Sequence, residues 1–327
     1  MRLTRDQILA FRRRTGGLDS RVPLTAESLR RAGWAGLQDS MPRAALLSLH
    51  ARIEGVTHDV LDHKSLAQLW GPRYSTYVVP KRDFALFSLG RLPDDEKGRA
   101  RAERTAELLH AFLDGRRMPD REAHAALRVG NSIKYATTTG TIAIRWEGAR
   151  APQVWTVPAP KITPANACRE LAKRYLHVFG PTTAKSFARW AGISQRAATT
   201  AFASIELIQA GDAFLLAEDE TLMLANAQEP APARLLPSGD AYWLLDGAER
   251  AVLVPDAKQQ AKLWTPRVWP GALLVDGEIR GTWRRAQHKL DIEAWGRLSR
   301  AQRDAVEAEA ASLPLPALDR DIVVAWS

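Results

Sequence analysis

The stretch PTTAKSFARWAGISQRAATTAFASIELI, residues 181–208, carries the strongest local signal in the chain. Its pattern predicts one helix from Thr182 to Trp190 and a second helix capped by Ser194, with a tight turn at Gly192 between them. Small or apolar residues stand where two such helices must approach closely: Ala188, Ile193 and Ala198. This pattern is typical of a helix-turn-helix.

The residues on either side extend this signal. Residues 164–179 form a helical pattern, with Thr163 as its cap and Pro164 at its first position. Residues 213–225 predict a hairpin with an acidic tip, in the place that a wing would occupy. Because the tip is acidic, it is a poor candidate for lying on phosphates.

The N-terminal region predicts three short helices followed by a strand, which is the order of a winged helix. Thr4 and Gln7 have the spacing of a capping box at the start of a helix over residues 4–14. Thr25 can cap a second helix, and Pro42 suits the first turn of a third. The run Tyr74–Val79 is rich in β-branched and aromatic residues.

The middle of the chain predicts a long helix, Glu96–Arg117, and then a Thr-rich hairpin within Val129–Trp146 that could act as a wing. Its turn candidate is Thr139-Gly140-Thr141, and its clearest strand is Ile142–Trp146. The proline-rich stretch Ala151–Pro164 is the best linker candidate in the first half.

The C-terminal region predicts short strands after the proline-rich connection Gln228–Pro237. The segment ALLVDGEIRGTWRR, residues 272–285, has Asp276-Gly277 between alternating runs and is the strongest hairpin signal in the chain. Lys289–Trp295 alternates again, a charged helix follows at 299–312, and a last strand is expected at Ile322–Trp326. These elements predict a small antiparallel sheet or barrel.

Together the patterns predict an α+β, mostly helical protein of tandem winged-helix domains with a small C-terminal antiparallel β-barrel. We expect four modules: three winged helices at residues 1–92, 93–160 and 161–230, and the barrel at 231–327. A chain of 327 residues, 46% of them hydrophobic, is long enough for several such domains.

The charge balance favours an anionic partner. There are 46 Lys and Arg residues against 37 Asp and Glu residues, which gives a net charge of +9. This excess is consistent with nucleic acid, although an Arg-rich composition alone would also produce it.

The sequence does not predict a disulfide, a metal site, a signal segment or a membrane span. The single cysteine, Cys168, cannot form an internal disulfide or a paired-cysteine zinc site, and His58 and His63 lie near acidic residues without a known metal spacing. We therefore expect no metal and no cofactor. The N-terminus has no apolar signal region and no segment approaches the roughly 20 apolar residues of a membrane span, so a cytoplasmic, nucleoid-associated protein is expected.

Four segments together resemble the YcaQ/AlkZ-type family of winged-helix DNA glycosylases. They are GLQDSMPRAALLSLHARIEG at 36–55, RYSTYVVP at 73–80, RYLHVFGPTTAKSFARWAGIS at 174–194 and LLVDGEIRGTWRR at 273–285. Their order and spacing fit, and the resemblance covers essentially the whole chain. It implies three tandem winged helices around damaged double-stranded DNA, a monomer, and hydrolytic removal of N7- or N3-alkylated, bulky or crosslinked purines without a cofactor.

In this family a Gln-x-Gln or Gln-x-Asp motif positions the attacking water. The resemblance places Gln38 at the first functional position and Ser40 at the second, which defines a divergent Gln-Asp-Ser subgroup. Ser40 can hold a water but cannot act as a base near neutral pH. Asp39, at the middle position, has two interpretations: its carboxylate swings into the catalytic role, or it caps the helix that follows.

The second segment departs from the family as well. Where the family often has Arg-Gly-Thr-x-His, this chain has Arg73-Tyr74-Ser75-Thr76-Tyr77. The arginine is retained and Tyr77 takes the histidine position, so Arg73 and Tyr77 are candidate DNA contacts of an altered pocket.

Further DNA contacts are expected from basic residues as a group, although a solvated face is the default interpretation of each one taken singly. Arg43 is a phosphate candidate at a helix start. Lys134 and Arg145 flank the Thr-rich hairpin, and Arg189 and Arg196 belong to the helix-turn-helix. Among the other single residues, Trp190 is expected in the core and His50 at the surface or its boundary.

The leading hypothesis is a DNA-repair glycosylase with Gln38, Asp39 and Ser40 as catalytic residues. The alternative is a non-catalytic winged-helix DNA-binding protein, either a lesion sensor or a transcription regulator. A third is a protein-interaction module, because winged helices also bind proteins.

Overall fold

The computed structural model describes residues 1–41, 43–129, 132–146, 151–315 and 321–327. Pro42, which the sequence places in the first turn of the third helix, lies outside the described residues. The described chain is a mixture of helices and three β-sheets.

The α-helices follow the predicted N-caps closely. Thr4, Thr25, Thr163 and Ser194 cap helices as predicted, and the first two form capping boxes. Ser299 and Thr183 cap two further helices, and the turn at Gly192 has φ 71°. The described helices are α1 Arg5–Thr15, α2 Ala26–Ala32, α3 Ala44–His50, α4 Phe84–Leu89, α5 Glu96–Leu113, α6 Asp120–Leu127, α7 Ser132–Ala136, α8 Pro164–Phe179, α9 Ala184–Ala191, α10 Gln195–Ala203, α11 Glu220–Leu224, α12 Arg250–Leu253, α13 Ala257–Leu263 and α14 Arg300–Ala311.

The described strands are β1 Leu37–Gln38, β2 Leu66–Trp70, β3 Thr76–Pro80, β4 Met118–Pro119, β5 Ile142–Arg145, β6 Gln153–Thr156, β7 Leu207–Ala210, β8 Ala213–Leu216, β9 Ala233–Leu236, β10 Gly271–Val275, β11 Glu278–Ala286, β12 Lys289–Ala294 and β13 Val323–Trp326. They form a six-stranded sheet in the order β1-β3-β2-β5-β6-β4, a five-stranded sheet in the order β13-β12-β11-β10-β9, and the β7-β8 hairpin.

The six-stranded sheet runs through the first 160 residues without interruption. The pairing of Gln68 on β2 with Ile144 on β5 joins the strands of its two halves. The predicted linker Ala151–Pro164 therefore does not lie outside the fold, because it contains β6, which pairs with both β5 and β4.

Two predicted hairpins are wrong. The Thr-rich segment forms α7 and a short 3-10 turn at Thr137–Thr139 rather than a strand, and Thr137 and Thr138 are buried. The acidic segment 217–224 is likewise a 3-10 turn followed by α11, so the hairpin after α10 is β7-β8 instead. In both cases local hydrogen bonds from hydroxyls or helical turns replace the ladder that alternation predicts.

The C-terminal sheet contains the predicted hairpin at Asp276-Gly277 but is not an entirely antiparallel barrel. Its last strand, β13, adds to β12 in parallel. In the described part of the chain β9 and β13 are the two edges of the sheet, with no pairing that closes it.

The largest hydrophobic core combines buried residues from the N-terminal region, from the helices around Gly192 and from the C-terminal region. Tyr175, Phe179, Phe187 and Trp190 stack with ring centroids 4.6–6.2 Å apart, and Tyr77, Phe87 and Trp243 belong to the same buried cluster. The expected core position of Trp190 is confirmed. His50, which was expected at the surface or its boundary, is instead buried at 8% exposure between Arg21 and Ser312.

The arginines at the C-terminal end of α1 connect this helix to other parts of the fold. Arg12 is buried and donates hydrogen bonds to the carbonyls of Phe179, Gly180 and Pro181 at the end of α8. Arg13 pairs with Asp19 at 2.8 Å. These guanidinium groups therefore satisfy orphan helix carbonyls and loop groups instead of projecting into solvent.

Candidate active site

The motif Gln38-Asp39-Ser40 begins at the end of β1 and leads towards α3. Gln38 lies directly opposite Tyr77 in the antiparallel β1-β3 pair. Gly36 has φ 72°, and a Cβ there would lie 2.9 Å from the Tyr77 ring and 3.0 Å from Phe87. The chain can approach these rings only with glycine at this position, so the start of the motif packs directly against two aromatic rings.

The Gln38 side chain is partly buried and points towards Ser40. Its Nε2 donates to Ser40 Oγ at 3.3 Å. Its Oε1 is buried and accepts no hydrogen bond from any residue that the structure describes. Gly239 covers this amide, since a Cβ there would lie 3.1 Å from Gln38 Oε1. A buried acceptor without a partner is unfavourable unless something else donates to it, such as water or substrate.

Asp39 points to α3. Its Oδ1 accepts a hydrogen bond from the Ala45 backbone N–H at 3.0 Å. Burial raises the pKa of this carboxyl to about 6, although the N–H groups of Ala45 and Ala44 oppose that rise. Of the two interpretations offered by the sequence, the geometry is that of the helix cap, whereas Gln38 and Ser40 are the two motif residues that contact each other.

Tyr77 does not contact solvent, and its prediction as a DNA contact is wrong. The side chain is 1% exposed and lies beneath Gly36 and Gly71. Burial raises the pKa of its hydroxyl to about 12. Strand alternation places this ring on the inner face of the sheet, so its role here is to support the Gln38 backbone.

Arg73 is exposed at a tight turn between β2 and β3, with φ 54°. A Cβ on Gly192 would lie 3.3 Å from the Arg73 backbone, so this turn packs against the turn between α9 and α10. The first and third helical regions therefore meet at Arg73, which sequence reasoning did not foresee.

Three predicted DNA contacts are ion-paired with aspartates. Arg145 pairs with Asp62, Arg189 with Asp246 at 2.7 Å, and Arg196 with Asp94 at 3.0 Å. These partners come from distant segments, so no local sequence pattern indicates them. Lys134 lies on α7 with its ammonium 5.9 Å from the centroid of Trp70, rather than beside a hairpin.

Arg43 lies close to a second cation that sequence reasoning left unassigned. It is exposed in a left-handed conformation immediately before α3, which starts at Ala44. Burial and the charge of Arg43 both lower the pKa of Arg285 on β11. Two positive charges thus approach each other three residues beyond Ser40, where a phosphate would relieve their repulsion.

Within the described ranges, no group of three or more His, Cys, Asp and Glu side chains could hold a metal ion. No described helix has the length and apolar character needed to cross a membrane.

The fold is that of a DNA glycosylase of known structure. The structure of Streptomyces sahachiroi DNA glycosylase AlkZ is similar to it with a TM-score of 0.80 and 19% sequence identity, and the match covers 100% of both chains. No curated protein matches the chain.

A family profile described as DNA glycosylase AlkZ-like matches residues 29–314. Because the match covers most of the chain, the protein belongs to the AlkZ-like DNA glycosylase family. Membership indicates DNA as the substrate and base removal in DNA repair as the broad activity.

Proposed function

We propose that this protein hydrolyses the N-glycosidic bond of N7- or N3-alkylated purines in double-stranded DNA, using a water held by Gln38. The observation that carries the proposal is the buried, unpartnered Oε1 of Gln38 beside Ser40. This oxygen accepts a hydrogen bond from the attacking water, and Ser40 Oγ offers a second polar contact.

The chemistry requires little more than this. An N7- or N3-alkylated purine is already cationic, so it leaves as a neutral base with the electron pair of the C1′–N bond and is not protonated by the enzyme. The water oxygen bonds to C1′, and the proton that this water loses passes to solvent. The sugar that remains has oxocarbenium character, and a nearby negative charge stabilises it. Asp39 supplies that charge while it caps α3, and it does so only above its pKa of about 6.

The element order supports three tandem winged helices. Helices precede an antiparallel strand pair in each of the three segments, with β2-β3 in 1–92, β5-β6 in 93–160 and β7-β8 in 161–230. The sheet of 231–327 braces them. In this proposal DNA lies across the face that carries Gln38, Arg43 and Arg73, and the protein acts as a monomer.

The test is base release from duplex DNA with N7-alkylguanine or N3-alkyladenine, by the wild type and by Gln38→Ala. We expect the variant to lose about 10²–10³-fold in single-turnover rate, the range for removing one hydrogen-bonding group that acts on the reacting atoms, while its affinity for DNA is kept. Gln228→Ala, an exposed glutamine in a loop, is the matched control and should behave as wild type.

Equal release by the wild type and Gln38→Ala would remove Gln38 from the mechanism. If the wild type releases no base but prefers damaged DNA, the alternative of a lesion sensor is favoured. Ser40 supports that alternative, because a hydroxyl replaces the second amide or carboxylate of the family motif.

A further inference from the structure

Three arginines from different parts of the chain surround a small pocket. The pocket measures about 110 Å³, and its charged lining residues are Arg73, Arg189, Arg250 and Asp246. Arg73 comes from the turn before β3, Arg189 from α9, and Arg250 from the start of α12. Pockets for drug-sized ligands measure roughly 300–1,000 Å³, so this one suits a small group.

Arg250 is fixed in place before any ligand arrives. Its Nε donates to the Leu245 carbonyl at 3.0 Å. Its guanidinium lies 5.0 Å from the ring centroid of Trp264 and 5.7 Å from that of Trp269. Burial lowers the pKa of Arg250, Asp246 raises it, and the charge of Arg73 lowers it again. The two guanidinium groups therefore lie close enough to repel each other.

The pocket has fewer negative than positive groups. Asp246 binds Arg189 at 2.7 Å, and its other oxygen accepts from the Gly247 N–H at 2.8 Å. Across the described residues the Arg73 side chain has no ion pair or hydrogen bond. Three guanidinium groups and one carboxylate leave two positive charges unbalanced.

The single ion pair is a weak competitor. The side chains of Arg189 and Asp246 are 55% and 49% exposed, and exposed pairs of this kind are weak because solvent screens the charges. A ligand with several acceptor oxygens can displace Asp246 because guanidinium binds phosphate through two parallel hydrogen bonds.

We propose that Arg73, Arg189 and Arg250 together bind one backbone phosphate of the DNA, and that Asp246 holds Arg189 until the phosphate replaces it. This site rests on the proposed function for its partner, the DNA duplex. It adds Arg250 to the DNA-binding residues and assigns the three arginines to the same phosphate.

The experiment measures the affinity for an undamaged duplex as a function of salt, for Arg73→Gln, Arg189→Gln, Arg250→Gln and the triple variant. The logarithm of the binding constant falls with the logarithm of salt by about 0.9 per phosphate neutralised. One shared phosphate predicts that the triple variant loses about 0.9 in slope in total, and that each single variant loses less. We expect each single variant to bind roughly tenfold more weakly.

Arg300→Gln is the matched control, since Arg300 is also exposed and paired with an aspartate but lies outside this pocket. A slope loss of about 2.7 in the triple variant would mean three separate phosphates and would overturn the proposal. Equal affinity of all the pocket variants and wild type would also overturn it.

Asp246→Asn provides a second measurement that does not depend on removing a buried stacking partner. We expect it to bind duplex DNA several-fold more tightly than wild type, and unchanged or weaker binding would contradict the displacement of Asp246. Binding to undamaged DNA needs no catalysis. If these effects on binding are observed but no base is released, the proposed glycosylase activity is contradicted and the phosphate site is not.

Discussion

At the scale of single residues, Asp39 caps α3 and, in the proposed mechanism, also supplies the negative charge at the site. Its carboxylate caps α3, and its burial raises the pKa to about 6. Ionisation is therefore harder in the folded protein than in the unfolded chain, where an aspartate has a pKa near 3.9. The site carries a negative charge whose formation opposes folding.

Replacing Asp39 by Asn should remove this cost and keep the cap, because the amide oxygen accepts the same hydrogen bond. With a folded pKa above the unfolded one, the contribution of Asp39 to stability is present below pH 4 and is lost as the pH rises through 6. We expect the free energy of unfolding of Asp39→Asn, relative to wild type, to increase by on the order of 2 kcal/mol between pH 4 and pH 7. Urea denaturation at several pH values measures this, and a pH-independent difference would contradict it.

The same charge predicts a pH profile for base release. The single-turnover rate of the wild type should rise as the pH increases through about 6, because the carboxylate forms there. Asp39→Asn should be slower at pH 8 and should lack this rise. A variant that keeps the rise would assign it to another group.

At the scale of elements, α3 connects the motif to a second titrating residue at its other end. Asp39 caps its first turn, and His50 is its last residue. Burial, followed by the charges of Arg21 and Arg234, lowers the pKa of His50 to about 4. The imidazole Nε2 lies 3.1 Å from Arg21 Nη2 and is thereby held as a neutral acceptor.

The lowered pKa of His50 predicts acid sensitivity. Its contribution to stability is complete above pH 6.5 and is lost as the pH falls towards 4. His50→Gln, which keeps an acceptor, should lose less stability than wild type between pH 7 and pH 4. His58→Gln in an exposed loop is the control.

Asp39 acts with the opposite sign in this pH range, because its contribution to stability increases as the pH falls. The Asp39→Asn variant should therefore lose more stability than wild type between pH 7 and pH 4. A smaller loss than in wild type would contradict the opposite signs of Asp39 and His50.

At the scale of the whole molecule, one buried ion pair joins the N-terminal and C-terminal regions. Arg52 and Asp240 form two hydrogen bonds of 2.7 and 2.8 Å, with side chains 4% and 0% exposed. Ser48 and the Tyr242 N–H also donate to this carboxylate. Gly239, which covers Gln38, immediately precedes Asp240, so the same contact fixes the cover of the candidate site.

Asp240→Asn should destabilise the protein by about 3–5 kcal/mol, because it leaves the buried guanidinium without its counter-charge. Asp304→Asn is the control, since the Arg300–Asp304 pair is 96% and 66% exposed and should change stability by less than about 0.5 kcal/mol. Thermal and urea unfolding measure both. A loss of stability below about 1 kcal/mol in Asp240→Asn would show that this ion pair is not important for holding the two regions together.

The sequence predicted best what depends on local interactions. The N-caps at Thr4, Thr25 and Ser194 and the turn at Asp276-Gly277 are present as expected, because each depends on residues within about four positions. The hairpin predicted for the Thr-rich segment is wrong, because its threonine hydroxyls donate to carbonyls three residues earlier and stabilise helical turns in place of strands.

Long-range partners explain the remaining differences at the site. Neither the burial of Tyr77 nor the aspartate partners of Arg145, Arg189 and Arg196 has a signature in the neighbouring sequence. The cover at Gly239 and the proximity of Arg250 to Arg73 likewise depend on how distant segments fold together. The candidate motif was found through Gln38, whereas its surroundings needed the structure.

The contacts of α1 constrain the order of events during synthesis on the ribosome. Arg12 can form its hydrogen bonds only when carbonyls 167–169 residues further along have been synthesised. Arg5 pairs with Glu278, which lies 273 residues away. Helix α8 and the segment around Met223 can therefore pack on α1 first, whereas the Arg5–Glu278 pair can form only after residue 278 has emerged. Until then Arg5 at the start of α1 is without its carboxylate partner, so this helix completes its contacts later than the elements whose partners are near in sequence.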